Sequence, residues 1–265
     1  MTLEKQIIFL LERLDSLESK AILRILENQD FTKQSIRNAL AKMKQAEYIF
    51  SKNRGTYSVT KKGVSFYSES KPKDNFYYKN WNRQWLIVLI GIPEAQRKKR
   101  DTFRNLLINW GFGHLYNNVY VYPWNISESI IDKIDSLEIE DYVTILQSKD
   151  FLFNKINHEG FSGPNAVRKV WDLDKITLIY TEKSKIVKET KNEILILINM
   201  PDIDYLMLIS HFLRLTSIKE ELINKDPMLP PEFLPGNWIG GDVLAFIEEQ
   251  LNTLTSILQT SKYRF

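Results

Sequence analysis

Apolar positions recur along this 265-residue chain with two different periods, and the periods change in a definite order. Leu3, Ile7, Leu10, Leu11 and Leu14 fall on one side of a helix, and Asp15 and Ser16 then offer caps. Ile22, Ile25 and Leu26 repeat the spacing over Ser19–Glu27, and Ile36, Ala39, Leu40 and Met43 repeat it over 31–46, with Thr32 as N-cap. β-prone segments follow at 48–50 and 56–59, around Ser51-Lys52-Asn53-Arg54-Gly55, where Gly55 can take the positive φ of a hairpin tip. Three helices and a basic-tipped hairpin make a winged helix-turn-helix, in which the third helix enters the major groove.

Beyond a polar, Pro-interrupted linker at 71–75, the pattern turns to continuous apolar runs. Residues 85–92 predict a buried strand, 94–110 a helix started by Pro93 and stopped by Gly111, 119–122 a strand, 126–137 a helix and 142–146 a strand. That β-α-β-α-β order predicts a ferredoxin-like domain, completed by a strand from later in the chain and offering its edges for pairing. Residues 148–165 read as a connecting loop. Helical patterns then run over 165–185 and 202–222, a turn-rich block over 226–241, and a last amphipathic helix through Leu244, Ile247, Leu251, Leu254 and Leu258. The expected fold class is therefore α+β and multi-domain: a winged helix-turn-helix over 1–73, a ferredoxin-like α/β domain over 74–160 and a mainly helical C-terminal domain over 161–265.

Charge sharpens the role of the first domain. Residues 1–73 hold 14 Lys/Arg against 8 Asp/Glu, whereas the rest holds 22 against 25. A basic head on a slightly acidic body points to a polyanion partner for the head alone. On the third helix Thr32, Lys33, Gln34, Ser35, Arg37, Asn38 and Lys42 are of the types that pair with base edges or phosphates in a major groove. Lys33, Gln34, Arg37 and Asn38, on the N-terminal turns, are the candidates for bases, and Lys42 for phosphate. Lys52, Asn53 and Arg54 would meet phosphate or minor groove from the hairpin.

Other chemistries find little in the sequence. No Cys is present, so there is neither a disulfide framework nor a thiolate nucleophile. His114, His158 and His211 are scattered without a second ligand at metal spacing, and no metal or cofactor is expected. His211, among Leu208, Phe212 and Leu215, reads as a packed helix residue. No nucleophile elbow or phosphate-loop motif occurs, and Gly111-Phe112-Gly113 lacks the further glycine of a dinucleotide loop. No apolar run approaches the ~20 residues of a membrane helix, and the start has no cleavage-site pattern, which predicts a cytoplasmic protein.

Five pieces occur in order: R-x-A-L-x-K-M (37–43), G-x-Y-x-V-T-x-x-G (55–63), W-N-R-Q-W (81–85), the arginines Arg97, Arg100 and Arg104, and D-P-M-L-P-P-E-F-L-P-G-N-W-I-G (226–240). Together they resemble the phenylacetate-catabolism repressors, the PaaX-like regulators, over nearly the whole chain. The resemblance implies an N-terminal winged helix-turn-helix, a central domain like the small CRISPR adaptation nucleases, and a helical C-terminal domain. It implies a homodimeric repressor of a catabolic operon, bound to double-stranded operator DNA and released by an aryl-acetyl-coenzyme A or other acyl-coenzyme A effector. Arg97, Arg100, Arg104 and Trp238 are the candidates for that effector. The chain departs from the pattern at Lys42 and Met43, where Arg and Leu are usual, at Ile239, where Pro is common, and in a short connection between its first two helices. The alternative is a metal-dependent nuclease built on the central domain. That chemistry wants a carboxylate at the end of the first strand, where Gly91-Ile92-Pro93 offers none before Glu94.

Overall fold

In the computed structural model, residues 1–67, 76–149, 167–168, 170–261 and 263 are described. The linker expected at 71–75, nearly all of the loop expected at 148–165, the boundaries at 73/74 and 160/161, and His158 lie outside them. The chain divides into two compact units that interleave along the sequence. One is Met1–Ser70, Glu182–Glu221 and Asp242–Phe265; the other is Lys71–Thr181 and Leu222–Gly241. The helical segment expected as one stretch over 161–265 thus contributes to both.

The first unit opens with α1 (Leu3–Leu14), β1 (Leu17–Glu18), α2 (Ser19–Glu27) and α3 (Lys33–Gln45). Strands β2 (Ile49–Asn53) and β3 (Thr56–Val59) and the short α4 (Lys61–Tyr67) follow. The three strands form one antiparallel sheet in the order β1-β3-β2, with Leu17 opposite Tyr57. Glycine serves this unit twice. Gly55, at φ 83, turns the chain from β2 into β3, and a Cβ on Gly63 would lie 2.2 Å from the carbonyl oxygen of Tyr48.

Fewer than seventy residues make a marginal core, because a small domain buries too little of its surface. Later helices supply the remainder. In this unit α7 (Leu173–Ile198) contributes from Glu182 on, α8 (Tyr205–Lys225) up to Glu221, and α9 (Gly240–Gln259) from Asp242. Phe9 stacks on Phe212 at 6.2 Å, Lys5 pairs with Glu220, and Arg24 pairs with Asp204. Ile7, Leu10, Ile25, Ile36, Leu208, Leu213 and Leu254 are all fully buried. Helix α7 runs thirteen residues past the expected end at Lys185, because Val187, Thr190 and Ile194 continue its buried stripe.

The second unit is built on β4 (Trp85–Ile90), α5 (Arg97–Asn109), β5 (Gly113–Tyr116), β6 (Val119–Tyr122), α6 (Ser127–Leu137) and β7 (Val143–Ser148). Its sheet is antiparallel throughout, in the order β5-β6-β4-β7, with Leu86 opposite Tyr122 and Ile87 opposite Leu146. The fourth strand comes from Gly113–Tyr116, inside the segment, and corrects the expectation of a later one among the described residues. Gly-His-Leu-Tyr is too short and too polar to stand out by period. What places it is Gly111, which at φ 96 ends α5 and turns the chain back beside β6. Close packing fixes the turn: a Cβ on Gly113 would meet Val170 at 2.2 Å and Trp171 at 2.6 Å, and the Trp171 indole donates to the Gly111 carbonyl at 2.9 Å.

Candidate nucleic-acid interface

Helix α3 buries the four residues that its period selects, Ile36, Ala39, Leu40 and Met43, and turns the others outward. Its start is locked: Thr32 Oγ1 accepts the Ser35 backbone N–H at 3.1 Å, and the Ser35 hydroxyl donates to the Thr32 carbonyl at 2.8 Å. Both hydroxyls are thereby engaged in the cap. Lys33, Gln34, Arg37, Asn38 and Lys42 are exposed, together with Lys44. Residues 33–45 include no acid, so this face is uniformly basic or neutral.

The side chains on that face differ in how they are held. Gln34 Nε2 donates to Asn38 Oδ1 at 3.0 Å, which fixes the two amides side by side one turn apart. Lys33 stands 3.5 Å from Glu27, both exposed, a pair that water screens and a phosphate can replace. Arg37 and Lys42 have no ion-pair partner among the described residues. On the hairpin, Lys52 donates to Asp15 at 3.0 Å, while Asn53 and Arg54 at the tip are exposed. Lys44 is exposed on the same helix and Phe50 is 46% exposed on β2, neither of them among the residues the sequence singles out. Their signal in the sequence is weak: Lys44 is one more lysine in a Lys-rich stretch, and Phe50 carries only a strand pattern.

The residues expected to hold an effector are placed differently. Arg97 stands 3.7 Å from Glu94 and 3.5 Å from Asp101. Arg100 donates to Glu94 at 2.8 Å, and that hydrogen bond and the charge behind it raise its pKa further. Arg104 donates to the carbonyl of Asn117 at 3.0 Å and to Asn118 Oδ1. All three guanidinium groups thus have partners within the unit. Trp238 contacts none of them: its indole N–H donates to the Tyr77 hydroxyl at 2.9 Å and its ring packs edge-on against Tyr180 at 5.8 Å. Neither a cleft of about 650 Å³ beside Arg24, Asp204 and Tyr205 nor one of about 370 Å³ beside Leu89 and Tyr142 is lined by these four residues.

The block that contains Trp238 is organised around Asp226, which is fully buried. Its Oδ2 accepts from the Tyr77 and Tyr180 hydroxyls, the latter at 2.6 Å, and its Oδ1 accepts the Met228 backbone N–H at 2.7 Å. Burial first, and the Asp226 charge second, push the pKa of Tyr77, Tyr180 and Tyr122 well up, so all three stay protonated. Phe233 packs against Trp81 and Trp85 at 4.9 and 5.3 Å, and the Trp124 indole donates to the Met228 carbonyl at 2.5 Å. Gly240 is required by the same packing, since its Cβ would lie 2.5 Å from the Trp238 indole nitrogen. The W-N-R-Q-W and D-P-M-L-P-P pieces thus meet in one aromatic cluster.

His211 sits in α8 of the first unit, 3% exposed, with Glu193 at 3.6 Å from Nδ1 and Arg214 nearby. Burial lowers its pKa, and Arg214 adds to that while Glu193 opposes it. The unfolded chain takes up this proton near the usual ~6.5, and the folded chain resists until lower pH. Stability is therefore complete above that value and falls as the pH drops toward the folded pKa. Thermal melts between pH 7.5 and 5.5 should show the loss, and His211→Gln should flatten it.

Residues 78–161 match the family model for the PaaX protein central Cas2-like domain. No curated protein matches the chain. Among solved structures the chain is similar to the uncharacterized protein Rv0674 from Mycobacterium tuberculosis. The TM-score is 0.53 and the identity 15%, over 90% of this chain and 88% of that one. At that identity the likeness is one of fold.

Proposed function

We propose that this chain, PaaX-like by the match over its central domain, is a DNA-binding transcriptional regulator that reads its operator through α3. One observation carries the reading: α3 presents an acid-free face of Lys33, Gln34, Arg37, Asn38 and Lys42 directly before a hairpin tipped by Asn53 and Arg54. The order α1-β1-α2-α3-β2-β3, with a three-stranded sheet, fits a winged helix-turn-helix. In that reading α3 lies in the major groove, Lys42 meets phosphate, and Lys52 and Arg54 reach the backbone beside it. The exposed lysine pair with Asp15 would exchange for a phosphate contact.

The β-α-β-β-α-β order of the second unit fits a ferredoxin-like arrangement. As a cytoplasmic homodimer, the protein would present two recognition helices at a fixed separation on a palindromic operator. Repression of a catabolic operon, with release by an acyl-coenzyme A such as phenylacetyl-coenzyme A, follows the PaaX resemblance. Among the described residues no helix is long and apolar enough to cross a membrane. The nuclease alternative finds no support: Glu94, the first acid after β4, is paired with Arg97 and Arg100. No group of three or more His, Asp or Glu able to hold a metal occurs among the described residues.

A mobility shift on the DNA upstream of the protein's own gene, at one defined salt concentration, tests the reading. A discrete complex that survives competition by unrelated duplex, and that phenylacetyl-coenzyme A dissociates, is the expected result. Equal competition by any duplex would sink sequence-specific recognition.

A further inference from the structure

The connection between α2 and α3 is held by α8, a helix nearly two hundred residues later in the chain. Ser210, fully buried on α8, accepts Asn28 Nδ2 at 3.1 Å and Gln29 Nε2 at 2.8 Å on its hydroxyl. Its carbonyl accepts Gln29 Nε2 at 2.9 Å, and its hydroxyl donates to the Ile25 carbonyl at 2.9 Å. One turn further along, Arg214 Nη2 donates to the Asn28 carbonyl at 2.9 Å and Nη1 stands 3.4 Å from Glu193 on α7. All of these bonds except the Glu193 contact fall on the last turn of α2 and the two residues after it.

Little slack separates that turn from α3. Asn28 caps α2, Asp30 takes φ 63, the Phe31 N–H donates back to the Leu26 carbonyl at 3.3 Å, and Thr32 already caps α3. A connection this short, with one residue in the left-handed region, transmits a displacement at Asn28 to the start of α3. The exposed side chains on the first turns of α3 are Lys33, Gln34, Arg37 and Asn38.

We propose that α8 sets the placement of α3, with Ser210 and Arg214 as positioning residues that act through Asn28 and Gln29. The consequence for recognition rests on the DNA-binding reading above; the positioning itself does not. Loss of these bonds leaves every basic side chain of α3 and the hairpin in place. It removes the constraint that aligns them, so discrimination between sequences suffers while phosphate attraction persists.

The full-length chain, with Ser210→Ala, Arg214→Gln and Arg214→Lys, tests this by two measurements. In hydrogen exchange without DNA, Ser210→Ala and Arg214→Gln should speed exchange of the α3 amides while those of α1 keep their protection. In DNA binding, the ratio of specific to non-specific affinity should fall roughly tenfold, the scale of one or two lost buried hydrogen bonds. Non-specific affinity and its salt slope should not change, because no phosphate contact is lost. Arg214→Lys, which keeps a charged donor with nearly the reach of Arg for the Asn28 carbonyl, should recover part of both effects. Unchanged α3 exchange in folded variants, or an equal rise in α1 and α3, would overturn the proposal. Should Ser210→Ala fail to fold, the two Arg214 variants decide, since that side chain is 27% exposed. Should the wild type show no specific complex, the DNA-binding reading fails and the exchange measurement still decides the role of α8.

Discussion

Arg37→Ala should weaken specific DNA binding by about 1–3 kcal/mol, roughly fivefold to 150-fold, and relax base preference at the position it reads. Arg37 is exposed on α3 and has no ion-pair partner among the described residues, so its guanidinium needs no internal bond broken to reach a base. A bidentate contact to a guanine edge, if Arg37 makes one, would carry that discrimination. Lys42→Ala, further along the helix, should act differently: affinity falls on all sequences alike, and the salt slope drops by about one. Titration of wild type and both variants against a matched set of duplexes at several salt concentrations separates the two. An Arg37→Ala protein with an unaltered base preference would remove this residue from the reading surface. Equal stability of all three in thermal melts is also expected, because both side chains point away from the core.

Asp226→Ala should cost the second unit about 3 kcal/mol or more, because it leaves neutral donors without their acceptor at roughly 1–3 kcal/mol each. Its carboxylate is fully buried and accepts from Tyr77, Tyr180 and the Met228 N–H, and the change strands the buried Tyr180 hydroxyl and Met228 N–H away from water. A loss of that size lowers the melting transition by roughly 2–4 °C per kcal/mol in a protein of this scale. Asp226→Asn, which keeps an acceptor, should lose less. Calorimetry that finds Asp226→Ala melting with the wild type would mean the cluster is not the anchor of residues 226–240. Tyr77→Phe and Tyr180→Phe each delete one donor and should fall between wild type and Asp226→Ala.

The elements of the head were legible because each solves a local problem. The spacing of Ile36, Ala39, Leu40 and Met43 dictates which side of α3 is buried whatever it packs against, and Thr32 marks its start. Strand β4 was legible for the opposite reason, since an apolar run at Trp85–Ile90 has few alternatives to burial in a sheet. Strand β5 was not, because Gly113–Tyr116 owes its place to Gly111 and to the packing of Trp171, neither of which has a period. Among the candidate site residues, exposure on α3 follows from helical geometry alone. The acids beside Arg97 and Arg100, Glu94 and Asp101, also lie close by in sequence, whereas Arg104 finds Asn117 and Asn118 only through the β5–β6 turn.

By itself, then, the sequence determined the helices of the head, the outward basic face of α3, and the charge contrast between head and body. These depend on residues a few positions apart, whose relation is set by backbone geometry before any tertiary contact forms. Tertiary structure alone decided that Ser210 and Arg214 hold the turn before α3, and that Asp226 gathers Tyr77 and Tyr180. It also decided that helices from the end of the chain complete the first unit. The hydrogen bonds at Ser210, Arg214 and Asp226 that join these parts across the fold span 46 to 186 positions. No spacing rule links such residues; burial brings them together, and the need to satisfy buried polar groups then selects their partners.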